Sequence, residues 1–140
     1  MPYTIKTEEP ILQITLLGTL TNEDLAALAR EAMDLERSLA VVPHRLTDTR
    51  PATRLEITFD GILDFANKRM QLKFPNSFKS AIVASDVVRF GFARMFQTLN
   101  DHPQISIAIF PDTPTALHWL EQPGHDLPRK AWAPRVGVTG

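Results

Sequence analysis

The sequence comprises 140 residues, of which 44% are hydrophobic and 22% are charged, and its formal net charge is −1 at pH 7. These values are typical of one globular domain and predict no general attraction to nucleic acid or to anionic membranes. The absence of cysteine excludes disulfides, thiolate metal sites and a cysteine nucleophile. The N-terminus is charged where a signal peptide needs an apolar core, and no apolar run reaches membrane-spanning length. We therefore expect a cytoplasmic protein without membrane insertion.

The first part of the chain predicts a hairpin followed by a helix. Residues 3–8 and 11–17 are strand-like, and the short polar connection between them favours antiparallel pairing. Gly18 ends the second strand, and Thr21 and Asp24 have the spacing of a capping box. The helix that follows is amphipathic. Its buried stripe is predicted to comprise Leu25, Leu28, Ala29, Ala32, Leu35 and Leu39.

A short strand, a loop and a second helix come next. Residues 44–48 predict the strand, and residues 50–56 predict a loop that contains two arginines and a proline. Thr58 is placed to cap a helix that continues to about Leu72. Phe65 lies off the core face of this helix. That face is predicted to comprise Phe59, Ile62, Leu63, Ala66 and Met70.

Residues 79–120 predict strand, helix, strand and helix in succession. The apolar runs at residues 80–85 and 105–110 fit strands buried on both faces. A helix over residues 86–100 lies between them, and a second helix follows Asp112. The core face of the helix at 86–100 is predicted to comprise Val88, Phe92, Met95, Phe96 and Leu99.

The elements define one α/β domain over residues 1–122 and a tail over residues 123–140, which contains proline and glycine without an apolar period. Alternating strands and helices predict a mostly parallel central sheet of about five strands, with the first strand antiparallel, flanked by about four helices.

Two strings carry a resemblance to a known family. The strings AIVASDVVRFGFARMFQTL and ISIAIFPDTPTALHWL resemble motifs of the SpoIIAA-like group within the STAS superfamily, in element order from about Ile11 to Leu120. The matching positions are Asp86, Phe90, Gly91, Ala93, Arg94, Met95, Phe96, Gln97 and Leu99, then Ile109, Phe110, Asp112, Ala116, Trp119 and Leu120.

The resemblance implies the architecture of anti-sigma-factor antagonists, which is also similar to that of lipid-binding CRAL-TRIO domains. STAS antagonists are switched by phosphorylation of a serine in a turn of the DSSG type. Asp48 stands where the family has its aspartate, but Thr49, Arg50 and Pro51 follow it instead of Ser-Gly. This departure argues against the kinase switch, although Thr49, Thr53 and Thr58 remain candidate phosphate acceptors.

The segment from Asp48 to Thr58 is nevertheless the first candidate site. Ligands of open α/β sheets bind beyond the carboxyl ends of strands, and this segment leaves such an end. Arg50 and Arg54, together with the N-terminus of the next helix, are suited to an anion or a phosphorylated group. The alternative is a solvated linker whose arginines pair with nearby carboxylates.

The second candidate is an interface for a second copy of the chain or for a partner protein. Phe90 points away from the predicted core face of its helix, and Arg94 lies near it as a polar rim. Phe65 and Trp132, the latter in the tail, are further candidate contacts. The alternative for Phe90 is an isolated exposed apolar side chain.

No motif for catalysis, metal or cofactor binding occurs. The histidines at positions 44, 102, 118 and 125 are scattered and are expected at the surface or at helix ends. A nucleophile elbow, a P-loop and a dinucleotide-binding glycine motif are all absent from the sequence. We therefore expect no cofactor and no enzyme.

Two functional hypotheses follow, with an enzyme ranked last. The first is a non-enzymatic STAS-like binding or regulatory module that acts by protein–protein interaction, as a homodimer. The second is a carrier of a small apolar or amphipathic ligand held between the helices and the sheet. Its support is the set of phenylalanines on two neighbouring helices, Phe59, Phe65, Phe90, Phe92 and Phe96. Their alternative interpretation is an ordinary core.

Overall fold

The computed structural model describes residues 2–7 and 10–123. Within these residues the chain forms seven strands and four helices. In chain order they are β1 (Tyr3–Lys6), β2 (Ile11–Leu16), β3 (Gly18–Thr21), α1 (Asn22–Arg37), β4 (His44–Asp48), β5 (Ala52–Glu56), α2 (Phe59–Met70), β6 (Phe78–Val83), α3 (Val87–Leu99), β7 (Ile105–Phe110) and α4 (Thr113–Glu121).

Five strands form the central sheet in the order β1-β2-β4-β6-β7. The pair β1–β2 is antiparallel, and the three other pairs are parallel. The prediction of a mostly parallel five-stranded sheet with an antiparallel first strand is confirmed. Trp132, His125 and the remaining predicted tail lie outside the described residues.

The strand order explains where the helices lie. From β2 to β4, β6 and β7 the chain always steps in the same direction across the sheet. Right-handed crossovers that step in one direction place their helices on one face. Helices α1, α2 and α3 accordingly contact one another in sequence, whereas α4 follows the last strand and packs on the opposite face against β4, β6 and β7.

A second, two-stranded sheet corrects one prediction. Strands β3 and β5 pair in parallel, so residues 52–56 are not a loop and the strand region does not stop at Gly18. Gly18 has a φ of 55°, which allows the chain to turn from β2 directly into β3. The pairing joins segments far apart in the chain, and each strand is short, so local periodicity gave no signal for it.

All four helices begin at a side-chain cap. The predicted capping box of α1 is confirmed, because Thr21 and Asp24 bond each other's backbone N–H groups. Thr58 caps α2 by accepting from the Gly61 N–H at 3.1 Å. Asp86 and Asp112 cap α3 and α4 in the same way. These caps satisfy backbone N–H groups of the first helical turn that have no partner within the helix.

The inward face of α2 differs from the prediction. Phe59 is 52% exposed and Met70 is also exposed, whereas Arg69 is buried beside Ala66. Phe65, expected off the core face, is half-buried, with its ring centroid 5.1 Å from that of Phe96. Helix α2 is rotated about its axis relative to the prediction, because Arg69 points inward to an ion pair. Phe65 lies one turn before Arg69 and therefore faces the same side.

Two further predictions about burial are wrong. On α3, Val88, predicted on the core face, is 59% exposed, whereas Ala93, which was not among the predicted core residues, is buried against β6. His44, expected at the surface or at a helix end, is buried at the start of β4, and His102, just beyond the end of α3, is also buried. Each ring accepts a backbone N–H bond at 2.9 Å, His44 from Lys79 and His102 from Gln104. These bonds satisfy the rings in the interior.

Candidate functional site

A cavity of about 120 Å³ lies between the central sheet and the layer formed by α1, α2 and α3. The second sheet closes one side of it through Leu20 on β3 and Leu55 on β5. Side chains alternate between the two faces of a strand, so Thr47 of β4 and Ile82 of β6 point into the cavity, whereas Ala81 faces α4. The fold therefore leaves a partly open space on one face of the sheet.

Most of the cavity wall is apolar. Helix α1 contributes Leu25, Leu28 and Ala32, and these lie on the stripe that was predicted to be buried. The aromatic part of the wall comprises Phe65 of α2 with Phe92 and Phe96 of α3. Three of the five phenylalanines that suggested a carrier thus line the cavity, whereas Phe59 and Phe90 are exposed.

One end of the cavity is charged. Glu36, in the last turn of α1, is buried and accepts two hydrogen bonds from Arg69 of α2, at 2.7 and 2.8 Å. It also accepts a hydrogen bond from Nη2 of Arg45 on β4. Both arginines line the cavity. One carboxylate therefore connects three elements and is shared by two cations.

Burial and ion pairing shift the pKa values of this cluster in opposite directions. Burial alone would raise the pKa of Glu36, but Arg45 and Arg69 together hold that pKa below its usual value. The pKa of Arg45 is lowered to about 10, first by burial and then by repulsion from Arg69, against the opposing effect of Glu36. The cluster combines two guanidinium groups with one carboxylate, which is an excess of one formal positive charge.

Two aromatic rings lie against the arginines. The guanidinium carbon of Arg45 is 5.5 Å from the ring centroid of Phe78, and that of Arg69 is 5.4 Å from the centroid of Phe74. The faces of such rings attract cations. They stabilise the buried charge without supplying a hydrogen-bond acceptor.

Two polar atoms at the cavity are left without a partner. Nε of Arg45 and Oδ1 of Asn100 are buried, and neither forms a hydrogen bond with any residue that the structure describes. Nearly all buried polar groups in proteins are hydrogen-bonded. Both residues contribute to the cavity wall, but these two atoms are enclosed by neighbouring protein atoms and are not exposed to the cavity.

Both arginines of the predicted anion site at residues 48–58 form ion pairs with carboxylates. Arg50 pairs with Asp48 at 2.9 Å and also donates to Thr113 Oγ1 at 2.8 Å. Arg54 pairs with Glu56 at 2.7 Å. The arrangement is that of the alternative considered above, in which both arginines bind carboxylates. Burial would raise the pKa of Asp48, but the hydrogen bonds and charge of Arg50 outweigh it and lower that pKa.

The three candidate threonines have different environments. Thr49 is buried, and its hydroxyl donates to the Val83 carbonyl at 2.7 Å. Thr58 caps α2 and accepts from Asn22 Nδ2 at 3.0 Å. Thr53 is exposed on β5. Of the three, Thr53 is accessible without breaking an observed hydrogen bond, and phosphorylation at any of them stays a prediction.

The candidate interface on α3 is exposed to solvent in the single chain. Phe90 is 48% exposed, and a Cβ added at the neighbouring Gly91 would meet no atom within 4 Å. Arg94 is exposed and donates weakly to Gln97 at 3.4 Å. Phe65 does not belong to this surface, because it lines the cavity instead.

Sequence reasoning missed the charged cluster, although a signal was present. Glu36 continues the buried stripe of α1 at the spacing of Leu28, Ala29 and Ala32. Arg69 follows Ile62 and Ala66 on α2 at the same spacing. Opposite charges at inward positions of two successive helices predict a buried pair.

Other kinds of site find no support in the described part of the chain. Residues 2–7 and 10–123 contain no group of three or more histidine or acidic side chains that is able to hold a metal ion. Within the same residues, no helix has the length and apolar character needed to cross a membrane.

Comparison with solved structures identifies the fold. The chain is similar to an uncharacterized protein of the DUF3478 family from Shewanella loihica PV-4, whose crystal structure has a SpoIIAA-like fold. The superposition covers 84% of this chain and 93% of that chain, with a TM-score of 0.57 and 19% identity. No protein-family model matches the sequence, and no curated protein matches it. The chain therefore has a SpoIIAA-like fold, and the expectation drawn from its motifs is confirmed at that level.

Proposed function

We propose that the protein binds a small apolar or amphipathic molecule in the cavity between the sheet and helices α1 to α3. The observation that carries this proposal is a cavity wall made mostly of aliphatic and aromatic side chains, with a few polar side chains among them. Small-molecule sites in proteins typically have this composition. An ordinary core at the same place would be filled by its own side chains.

The size of the cavity limits the ligand. An engineered apolar cavity of about 150 Å³ in another protein binds benzene. The cavity here has a volume of about 120 Å³ and fits a molecule of similar size. So small a ligand makes few contacts, and we expect dissociation constants in about the millimolar range.

A titration with n-pentanol, followed by NMR, tests the proposal. We expect shifts of amide signals confined to residues around the cavity. In Ala32→Leu, the added methyl groups occupy the cavity, and we expect the affinity for n-pentanol to fall at least about tenfold. The matched control is Ala40→Leu, which adds the same groups at an exposed position just beyond α1 and leaves binding unchanged. Equal affinity in Ala32→Leu and Ala40→Leu would contradict binding in the cavity.

A second candidate is a STAS-like binding module that acts through protein contacts, as a homodimer. It is supported by the SpoIIAA-like fold and by the start of α3, where Val87, Val88 and Phe90 are all exposed. Neighbouring exposed apolar side chains are frequent at interfaces between proteins.

Analytical ultracentrifugation of Phe90→Asp tests the second candidate. A carboxylate in an apolar contact is costly to bury, so we expect the dimer to dissociate while the fold is kept. Asn67→Asp, which introduces the same carboxylate at an exposed position of α2, is the control and should keep the mass of the parent protein. A parent protein that is monomeric at high concentration, or an unchanged mass for Phe90→Asp, argues against this interface.

A further inference from the structure

The two ends of the cavity differ in exposure. At the end beside the charged cluster, Arg45 and Arg69 contribute to the wall and are both buried. At the other end, Ile57 just before α2 and Arg89 and Phe92 in the first two turns of α3 contribute to the wall and are partly exposed. The mouth of the cavity therefore lies between the start of α2 and the start of α3.

Two exposed apolar side chains continue the cavity wall beyond this mouth. Val88 lies one turn before Phe92 and two turns before Phe96, on the same side of α3. Phe59 lies one turn before Ile62 on α2. Phe92, Phe96 and Ile62 all line the cavity. The apolar stripes of both helices thus continue from the cavity into solvent.

Both stripes leave the cavity at the same edge of the sheet. Helices α2 and α3 lead directly to β6 and β7, which are parallel neighbours. Both helices therefore end at the amino edge of the sheet and begin at its carboxyl edge. They also pack against each other. Phe59 and Val88, each in a first turn, consequently border the same mouth.

The inside of the cavity offers almost no polar surface to a ligand. Nε of Arg45 and Oδ1 of Asn100 are enclosed by protein atoms and do not reach it. At the mouth, the guanidinium group of Arg89 already bonds Asp86 and two backbone carbonyls. A polar head group would lose its water inside the cavity without gaining a partner there, so it is more stable outside the mouth.

We propose that the ligand is an amphiphile with a single apolar chain longer than the cavity. The chain enters tail first, its outer part lies across Val88 and Phe59, and the head group stays in water. This inference rests on the proposed ligand binding and specifies the class of ligand. Each methylene group in apolar contact favours binding, so the length of the chain determines the affinity and the charge of the head group does not.

Two alcohols test the length of the site in the unmodified protein. Burying one methylene group completely favours binding about fourfold, and half-burial favours it about twofold. n-Octanol has three more methylene groups than n-pentanol, and we expect it to bind about eightfold more tightly. In NMR titrations, n-octanol should also shift the amide signals of Phe59 and Val88, which n-pentanol leaves unchanged. Equal affinities would overturn this inference alone. If neither alcohol binds, the proposed ligand binding fails as well.

Val88→Asp tests the path of the chain. It places a carboxylate at the mouth, and an acidic side chain in the first turn of a helix is favourable, so the fold should be kept. We expect the preference for n-octanol to fall to about twofold or less, with the affinity for n-pentanol unchanged. Phe59→Asp, on the other side of the mouth, should act in the same direction.

The matched control is Val87→Asp, which adds the same charge in the same turn of α3. Val87 is 87% exposed and points about 100° away from Val88 around the helix, so its carboxylate lies off the path of the chain. This variant should keep the full preference for n-octanol. Equal preferences in Val87→Asp and Val88→Asp would overturn the assigned path.

The position of the head group is tested with nonanoate, which has the same alkyl chain as n-octanol. With both head groups in water, we expect the two dissociation constants to agree within about threefold. A carboxylate inside the apolar cavity would bind far more weakly than a hydroxyl. A larger difference in either direction would mean that the head group contacts the protein, and the tail-first orientation would be wrong.

Discussion

The two faces of the central sheet bury their side chains in different ways. On the face covered by α4, Ala116 and Leu120 pack against Leu46, Ala81 and Val83, and all five are buried. On the opposite face, three helices span the sheet and leave a cavity of about 120 Å³ beneath them.

The same two faces also bury positive charge differently. Lys79 of β6 points toward α4, and its Nζ donates to the carbonyls of Trp119 and Gln122 at 2.9 and 2.7 Å. Burial lowers the pKa of Lys79, and the carbonyls at the negative end of the helix satisfy the ammonium group. Among the described residues, Nε of Arg45 on the other face forms no hydrogen bond. The two buried cations therefore differ, because the ammonium group of Lys79 bonds two carbonyls, whereas one nitrogen of Arg45 remains without a bond.

The largest expected effect comes from removing the shared carboxylate. Glu36→Ala leaves two arginines buried without a counterion, and we expect the free energy of unfolding to fall by about 3–5 kcal/mol. Asp34→Ala removes an exposed carboxylate of the same helix, 3.9 Å from Arg37, and should cost about 0–1 kcal/mol. Urea denaturation of both variants measures the difference. Similar losses would mean that the buried cluster contributes no more than a surface pair.

A pair of alanine substitutions compares the packing of the two faces directly. Ala116→Leu adds volume to the close-packed α4 face and is expected to cost about 1–3 kcal/mol. Ala32→Leu adds the same groups at the cavity wall, where they bury apolar area without displacing neighbours, so we expect a loss below about 1 kcal/mol or a small gain. Thermal and urea denaturation give both values. An equal loss in the two variants would contradict the difference in packing.

The smallest effect concerns the rim of the cavity face at alkaline pH. The Tyr3 hydroxyl donates to Glu31, and the pKa of Tyr3 is raised from 10.0 to about 12, mainly by burial and then by this hydrogen bond. The folded state therefore keeps a proton that the unfolded state loses. The stabilisation is complete below pH 10.0 and is lost as the pH rises toward about 12.

Tyr3→Phe removes this titrating group and serves as the reference. Between pH 10.0 and about 12, we expect the unmodified protein to lose up to about 2 kcal/mol of stability relative to Tyr3→Phe. Denaturation series at several alkaline pH values measure the change. Parallel pH profiles for the two proteins would show that the contact at Tyr3 has no energetic role.

The order of elements was accessible from the sequence because it depends on local patterns. The apolar runs predicted β7 to the residue, β2 to within one residue and β6 with a shift of two residues, and Thr21, Thr58 and Asp86 marked the helix starts. Strands β3 and β5 were not accessible, because each is short and neither has an apolar run or a regular alternation of buried and exposed side chains. Nothing in their local sequence distinguishes them from a loop.

The site itself was predicted only in part. The phenylalanines suggested a space for a ligand, but the charged end of the cavity depends on Glu36, Arg45 and Arg69, which come from three separate elements. The segment at residues 48–58 was chosen by a rule for the carboxyl ends of parallel strands, which applies where the strand order reverses. The parallel strands here follow one another in a single direction, so the topology does not supply the crevice on which that rule depends.

One contact of α3 has a consequence for how molecules of this protein meet. Strand β7 is at the edge of the sheet, and the carbonyls of Gln104 and Phe110 bond toward β6. Along a strand, the carbonyls of successive residues point alternately to the two sides. Ile107 is three residues from both Gln104 and Phe110, so its carbonyl points away from β6, and Gln97 Nε2 donates to it at 2.7 Å. A strand from another molecule must displace this amide before it can extend the sheet. The hydrogen bond from Gln97 therefore hinders aggregation by addition of a strand at this edge.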